Sequence, residues 1–197
     1  MPPIWVWASL GDVVDSGPQH GLSLRKSERS DAPKAITLIA TTSGFFDCSH
    51  FKRVEADVDV DSDLWLHLDD LLFQRGNTRE YVGIAAIYDG PSGQFIYPDL
   101  MMRVRPSGQV RLRFIHFASI GPYSRRYLST VATGAQKAMP KINQGMLRAL
   151  AIPLTPLKEQ LRIVAKVDEL IALCGRMEDG LVVDMNYRPR VLSAFLA

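Results

Sequence analysis

The feature that most constrains this 197-residue chain is a set of apolar residues at helical spacing near its C-terminal end. Leu157, Leu161, Val164, Val167, Leu170, Ile171, Cys174 and Met177 follow the i, i+3, i+4, i+7 recurrence of an amphipathic helix. Thr155 is suited to N-cap such a helix and Pro156 to be its first residue, because a proline lacks only an N–H that the first turn leaves unpaired. From Pro156 to Cys174 the helix would be about 29 Å long at ~1.5 Å per residue. One stripe on one long helix calls for a second apolar surface. A partner helix is the expected one, and packing back on its own domain is the alternative. Gly175, Gly180 and Pro189 interrupt the tail, and Pro189 cannot continue a regular helix without a kink or break. The expectation is therefore a helix that ends early or a tail that folds back.

Upstream the pattern changes to short strands between turn residues. Ala35–Ala40, Leu71–Phe73, Val82–Tyr88 and Leu100–Arg105 are apolar or β-rich runs, each closed by glycine, asparagine, serine or proline. Gly121 to Thr133 reads as a helix, with Tyr123 and Tyr127 expected in the core. The predicted fold class is α+β, a mostly β domain with a few helices followed by a long protruding coiled-coil-type helix. The expected boundary separates residues 1–150 from residues 151–197.

Hydrophobic residues make up 47% of the chain, enough for a packed core. No run of about 18 or more uncharged apolar residues is present, so no membrane partner is expected. Cys48 and Cys174 have no disulfide framework around them and the N-terminus lacks a signal-peptide pattern, which together predict a cytoplasmic chain. The net charge of +2 hides an uneven distribution. Leu100 to Lys158 contains no acidic residue, but carries Arg103, Arg105, Arg111, Arg113, Arg125, Arg126, Lys137, Lys141, Arg148 and Lys158. Glu55 to Leu72 is the reverse, with Asp57, Asp59, Asp61, Asp63, Asp69 and Asp70 and no base. A folded domain with one basic side and one acidic side suits an elongated polyanion that docks in one orientation. A solvated basic surface is the competing explanation.

Motifs for chemistry are missing. His20, His50, His67 and His116 have no zinc-ligand spacing, and no phosphate-binding loop or Gly-x-Ser-x-Gly elbow occurs. Pro98-Asp99 lacks the later acid-x-Lys that a metal-dependent nuclease needs, and no Asn/Asp-Pro-Pro-Tyr/Phe run of an amino-methyltransferase is found. The alternate acids Asp57, Asp59, Asp61 and Asp63 lack the glycine hinge and closing Glu of a calcium loop, and read as a strand with one solvated face. No catalytic residue, metal or cofactor is expected.

Thr133-Gly134-Ala135-Gln136, Ile142-Asn143-Gln144, Leu147, Ile152 to Gln160, Arg162 to Leu170 and Leu173-Cys174 closely resemble the junction between recognition domain and spacer helix in type I restriction-modification specificity subunits. Trp5 to Val13 looks like the opening of such a domain, and Asp70 to Gly76 resembles its central strand and loop. The likeness covers about residues 5 to 178. It implies one target recognition domain and one spacer helix, half of a specificity subunit, reading one half of a split site in double-stranded DNA. Methylation and cutting would belong to partner chains, a modification (methyltransferase) subunit and a restriction subunit. A helix of about 29 Å is close to one DNA turn of ~34 Å, the repeat between half-sites on one face. The alternative function is an assembly or regulatory protein that binds the modification subunit without DNA specificity of its own.

Base edges are read by Arg or Lys at guanine and by Asn or Gln at adenine, while phosphate contacts set position. Gln74, Arg75, Asn77 and Arg79 in a glycine-containing loop, and Lys137, Lys141 and Asn143 before the helix, are the expected DNA contacts. Arg25 and Lys26, in a polar loop, are expected at the backbone. Leu161, Val164, Val167, Leu170, Ile171 and Cys174 would pair with a second spacer helix, in a homodimer or with another half-subunit.

Overall fold

The structure is a computed structural model that describes residues 4–134 and 139–195, with side chains to residue 177. In chain order it contains β1 (Val6–Ser9), a 3-10 turn (Leu10–Asp12), β2 (Val14–His20), β3 (Arg25–Lys26), β4 (Lys34–Ile36), α1 (Ile39–Thr42), β5 (Phe51–Glu55), β6 (Leu71–Gln74) and β7 (Ala85–Ile87). There follow β8 (Phe95–Ile96), β9 (Met101–Pro106), α2 (Leu112–Ile120), α3 (Pro122–Val131), α4 (Gln144–Arg148), β10 (Ala151–Leu154) and α5 (Leu157–Phe195). The fold is mixed, with sheets and a few helices. No described helix is long and apolar enough to cross a membrane.

Three sheets make up the first part: β2-β9-β6-β7, β3-β5-β4-β8 and the ribbon β1-β10. Strand β6 carries Leu71, Leu72, Phe73 and Gln74, all buried, as a strand covered on both faces must. It pairs antiparallel with β7 on one side and β9 on the other. Between the two larger sheets lie Ile36, Leu66, Leu72, Tyr88, Phe95, Tyr97 and Met101. A second cluster, Ala35, Val54 and Ile96, packs with Leu24, Leu64 and Trp65. Along β2 the register against β9 shifts around Gly17, where φ is 90° and a Cβ would collide with the Arg103 carbonyl oxygen. Only glycine fits there.

Arg103 is the unusual core residue, 1% exposed in the middle of β9. Its guanidinium donates to the Asp63 carbonyl oxygen at 2.8 Å and to Gln19 Oε1, and lies 3.9 Å from Asp70. Asp70, also 1% exposed, accepts from Arg105 Nε at 2.9 Å and from the His67 N–H at 2.8 Å. The Arg105 hydrogen bond, with the charge of Arg103 and Arg105, holds the Asp63 carboxyl below the usual carboxylate range. Two acids of the acidic run, Asp63 and Asp70, therefore meet and are neutralised by two bases of the basic run, Arg103 and Arg105.

Several expectations change. The acids Asp57, Asp59 and Asp61 stand on an irregular loop, closed by bonds from the Ser62 N–H and Trp65 Nε1 to the Asp59 carbonyl, not on a strand. The run Ala35–Ala40 turns into α1 after Ile36, and the strand expected from Val82 starts only at Ala85. Helix α2 was not foreseen; its buried His116 and Ser119 break up the apolar spacing. Tyr123 is 57% exposed, stacked on Trp7 at 5.4 Å, and Tyr127 is half-buried. The chain divides into compact units Met1–Leu157 and Lys158–Ala197, later than the expected boundary at 150, because β10 pairs with β1.

Taken by itself, α5 spans Leu157–Phe195, across Gly175, Gly180 and Pro189, where an earlier end or a folded-back tail was expected. Leu161, Leu170, Ile171, Cys174 and Met177 are exposed, while Val164 and Val167 are half-buried. Glu159–Arg162 and Lys166–Glu169 pair at i, i+3 on its surface.

Removing one member of a buried ion pair leaves the other charge uncompensated, at about 3–5 kcal/mol. Asp70→Ala is expected to lower the urea midpoint by that much stability, with the slope of the transition unchanged. A loss below about 1 kcal/mol would show that the Arg103–Asp70–Arg105 group is peripheral to the fold.

Candidate nucleic-acid interface

The loop after β6 and the segment before α4 lie far apart in sequence but form one structure. The Arg75 N–H donates to the Leu100 carbonyl at 2.7 Å, and the Ile142 N–H donates to the Arg75 carbonyl at 2.9 Å. The Asn77 N–H reaches the Pro140 carbonyl at 3.3 Å. Lys141 pairs with Gly76 on one side and with Thr133 on the other, exchanging two backbone bonds of 2.9 Å with Thr133. Gly76 allows this approach: a Cβ there would lie 3.0 Å from Leu100 Cδ2 and 3.2 Å from both Lys141 Cγ and Met139 Sδ.

This junction brings the Arg75 and Lys141 segments together, with Arg79 further along the same loop as Arg75. Arg79 and Lys141 are exposed and Arg75 is half-buried. Arg79 Nη1 donates to the Ser129 carbonyl at 3.0 Å, and Arg75 Nη1 to the Asp99 carbonyl at 3.3 Å. The Arg75 Nε is buried without a hydrogen-bond partner. No ion pair among the described residues engages any of these three cations. His20 stands beside them; burial, then the charge of Arg75, lowers its pKa, against the opposing pull of Asp99. Two planar guanidinium forks and one ammonium suit anionic oxygens and base acceptors.

The other expected contacts sit elsewhere. Gln74 is fully buried, and its amide is bonded inside the protein. Its neighbourhood explains the difference from expectation: β6 is covered on both faces, so its last side chain points inward. Asn77 donates to Gln74 Oε1 at 2.5 Å and caps the Thr78 N–H at 2.7 Å. Asn143 is exposed, but its Oδ1 accepts from the Met146 N–H at 2.8 Å as the N-cap of α4. Arg25 and Lys26 lie on β3 in the second sheet, where Lys26 pairs with Glu28 at 2.7 Å, and they are not part of the junction. Lys137 lies outside the described residues.

Much of the basic run serves the fold. Arg103 and Arg105 are paired with Asp63 and Asp70. Arg125 donates to the Val82 and Glu80 carbonyls at 2.7 and 2.6 Å, and burial lowers its pKa. Arg148 bonds to the Gly17 carbonyl. Sequence reasoning missed His20, Asp99, Leu100 and Thr133. They reach the junction through long-range pairing, for which a single sequence carries no local signal. Among the described residues, no group of three His, Cys, Asp or Glu could hold a metal ion.

The chain belongs to the type I restriction modification DNA specificity domain family, whose model matches residues 3–181. It is 20% identical over 185 residues to the type I restriction enzyme EcoEI specificity subunit of Escherichia coli, covering 92% of this chain and 31% of that subunit. To the EcoKI specificity subunit of Escherichia coli strain K12 it is 25% identical over 164 residues, covering 81% and 35%. In fold it is similar to the HsdS subunit from Thermoanaerobacter tengcongensis, with a TM-score of 0.63 at 22% identity, over 90% of this chain and 44% of that one. The chain thus spans about a third of the length of the two curated relatives.

Loss of an Asn N-cap costs about 1 kcal/mol. Asn143→Ala is expected to lower thermal stability by that amount and to leave nucleic-acid affinity within twofold of the parent. A variant of full stability and weakened affinity would return Asn143 to the list of direct contacts.

Proposed function

We propose that this chain is a sequence-reading module for double-stranded DNA, recognising one half of a bipartite site for a type I restriction-modification complex. The observation that carries this reading is the junction, where the loop bearing Arg75 and Arg79 pairs with the segment bearing Lys141, and none of the three forms an ion pair among the described residues. Family membership supports it, since the matched model is that of a DNA specificity domain.

The division of work follows from side-chain chemistry. Lys141, a compact ammonium, suits a phosphate, and its contact would be indifferent to sequence. Arg79 is exposed and tethered at one nitrogen, which suits a phosphate or a sugar edge. Arg75 is half-buried and its Nη1 is held by the Asp99 carbonyl, and a fixed guanidinium is the group that reads the O6 and N7 acceptors of guanine. The chain's role is non-catalytic: it carries the target preference, and a modification subunit and a restriction subunit supply the chemistry.

Helix α5 acts in this proposal as a coiled-coil spacer. Leu161, Val164, Val167, Leu170, Ile171 and Cys174 meet the same stripe on a second copy or on another half-subunit. The exposure of Leu161, Leu170 and Ile171 supports this, since apolar side chains in water gain from a partner. Two copies related by a twofold axis would read a palindromic split site.

The test is selection from a random duplex library by the full chain, alone and with the modification subunit. A defined half-site is the expected result. Lys141→Ala and Arg79→Ala should each weaken binding to all duplexes, reducing the slope of log affinity on log salt by about 1. Arg75→Ala should relax preference at one position. An unselected library under both conditions would overturn the proposal, and an unchanged salt slope in both variants would overturn these contacts.

A further inference from the structure

The last residue of β6 is chemically out of place. Leu71, Leu72 and Phe73 are apolar and fully buried, yet Gln74 beside them is also 0% exposed. A buried amide adds little apolar burial and costs desolvation unless its hydrogen bonds are made. Here they are made. Nε2 lies 2.7 Å from the Leu38 carbonyl, 2.9 Å from Thr41 Oγ1 and 3.2 Å from Thr42 Oγ1, all on α1 or its N-terminal edge. Oε1 accepts from Asn77 Nδ2 at 2.5 Å. Asn77 in turn holds the Thr78 N–H, and the Gln74 backbone closes the base of the loop by accepting from the Gly83 N–H at 2.7 Å.

These bonds form a continuous strut from the rigid turn α1 through Gln74 to Asn77, midway between Arg75 and Arg79. The strut itself faces inward and touches no solvent at Gln74. We propose that Gln74 is a positioning residue for target discrimination, acting through Asn77 to fix the directions of the Arg75 and Arg79 side chains. This rests on the DNA-reading proposal above. The reason for expecting an effect on discrimination is geometric. A phosphate contact needs charge within reach and survives a shifted loop, whereas a bidentate base contact needs the guanidinium plane within tight limits of position and angle. Loosening the strut should leave general DNA affinity in place and blur the choice of base.

The experiment compares the parent full chain with Gln74→Leu, which keeps volume without the amide. Asn77→Ala cuts the same strut from its solvent side and leaves the β6 core untouched. Each is titrated with the duplex selected by the parent and with a scrambled duplex, across a salt series, alongside thermal melting. The expected result is a fall of about tenfold in the ratio of the two affinities, the size of one good base contact, with the salt slope of the scrambled duplex unchanged. A purely structural role would lower the melting temperature and the active fraction but leave that ratio intact among the molecules that bind. If Gln74→Leu does not fold, Asn77→Ala alone decides. A ratio within twofold of the parent overturns the inference, as does a ratio that falls together with the salt slope. A parent that shows no discrimination overturns the DNA-reading proposal instead.

Discussion

A short piece of backbone pairing holds the candidate interface together. Arg75 stands between Leu100 and Ile142, bonded to each, and Lys141 stands between Gly76 and Thr133. Without this ladder, the cations of the β6–β7 loop and those before α4 would belong to separate surface segments. With it, they share one rigid edge, anchored by β6 and β9 beneath. Gly76 is where the pairing is tightest, since any side chain there would press on Leu100, Met139 and Lys141.

The handling of charge shows how the domain separates fold from surface. Arg103 and Arg105 project from β9 into the acidic loop and are matched by Asp63 and Asp70. Arg125 and Arg148 are directed at backbone carbonyls. Arg103 and Arg105, matched by carboxylates, contribute geometry and offer little field to a ligand, whereas Arg125 and Arg148 keep their charge and are held in place by neutral carbonyls. Arg75, Arg79 and Lys141 form no ion pair among the described residues, so their charge is available at the surface. A long acid-free stretch in a sequence therefore overstates the basic surface it encodes. The useful positive charge is a smaller set, selected by which arginines the fold has already satisfied.

How much was legible in the sequence follows from what each signal depends on. Strands β6 and β9 were visible because buried strands are nearly continuous apolar runs. The helix α5 was visible from its period, and the family from the residues around its start, in agreement with the match over residues 3–181. Strand β10 was read as a rigid lead-in because of its prolines; Pro153 is tolerated at the edge of a two-stranded ribbon. The acidic loop was read as a strand because alternation alone does not distinguish a pleat from successive turns. Within the candidate site, Arg75, Arg79 and Lys141 stand out in the sequence as possible DNA contacts, but the pairing of their two segments was not foreseeable. Gln74, Asn77 and Asn143 look the same in sequence whether they face DNA, bond to a neighbour or cap a helix. Only their partners in the fold separate those uses.

Photo-cross-linking tests the central claim most directly. The full chain, bound to a halogenated duplex carrying its selected half-site, is irradiated and digested, and the adducts are located by mass spectrometry. The account predicts adducts in peptides containing residues 75–79 and 139–143, with none at Arg25 and Lys26. Adducts confined to the second sheet, with the junction peptides unmodified, would contradict it.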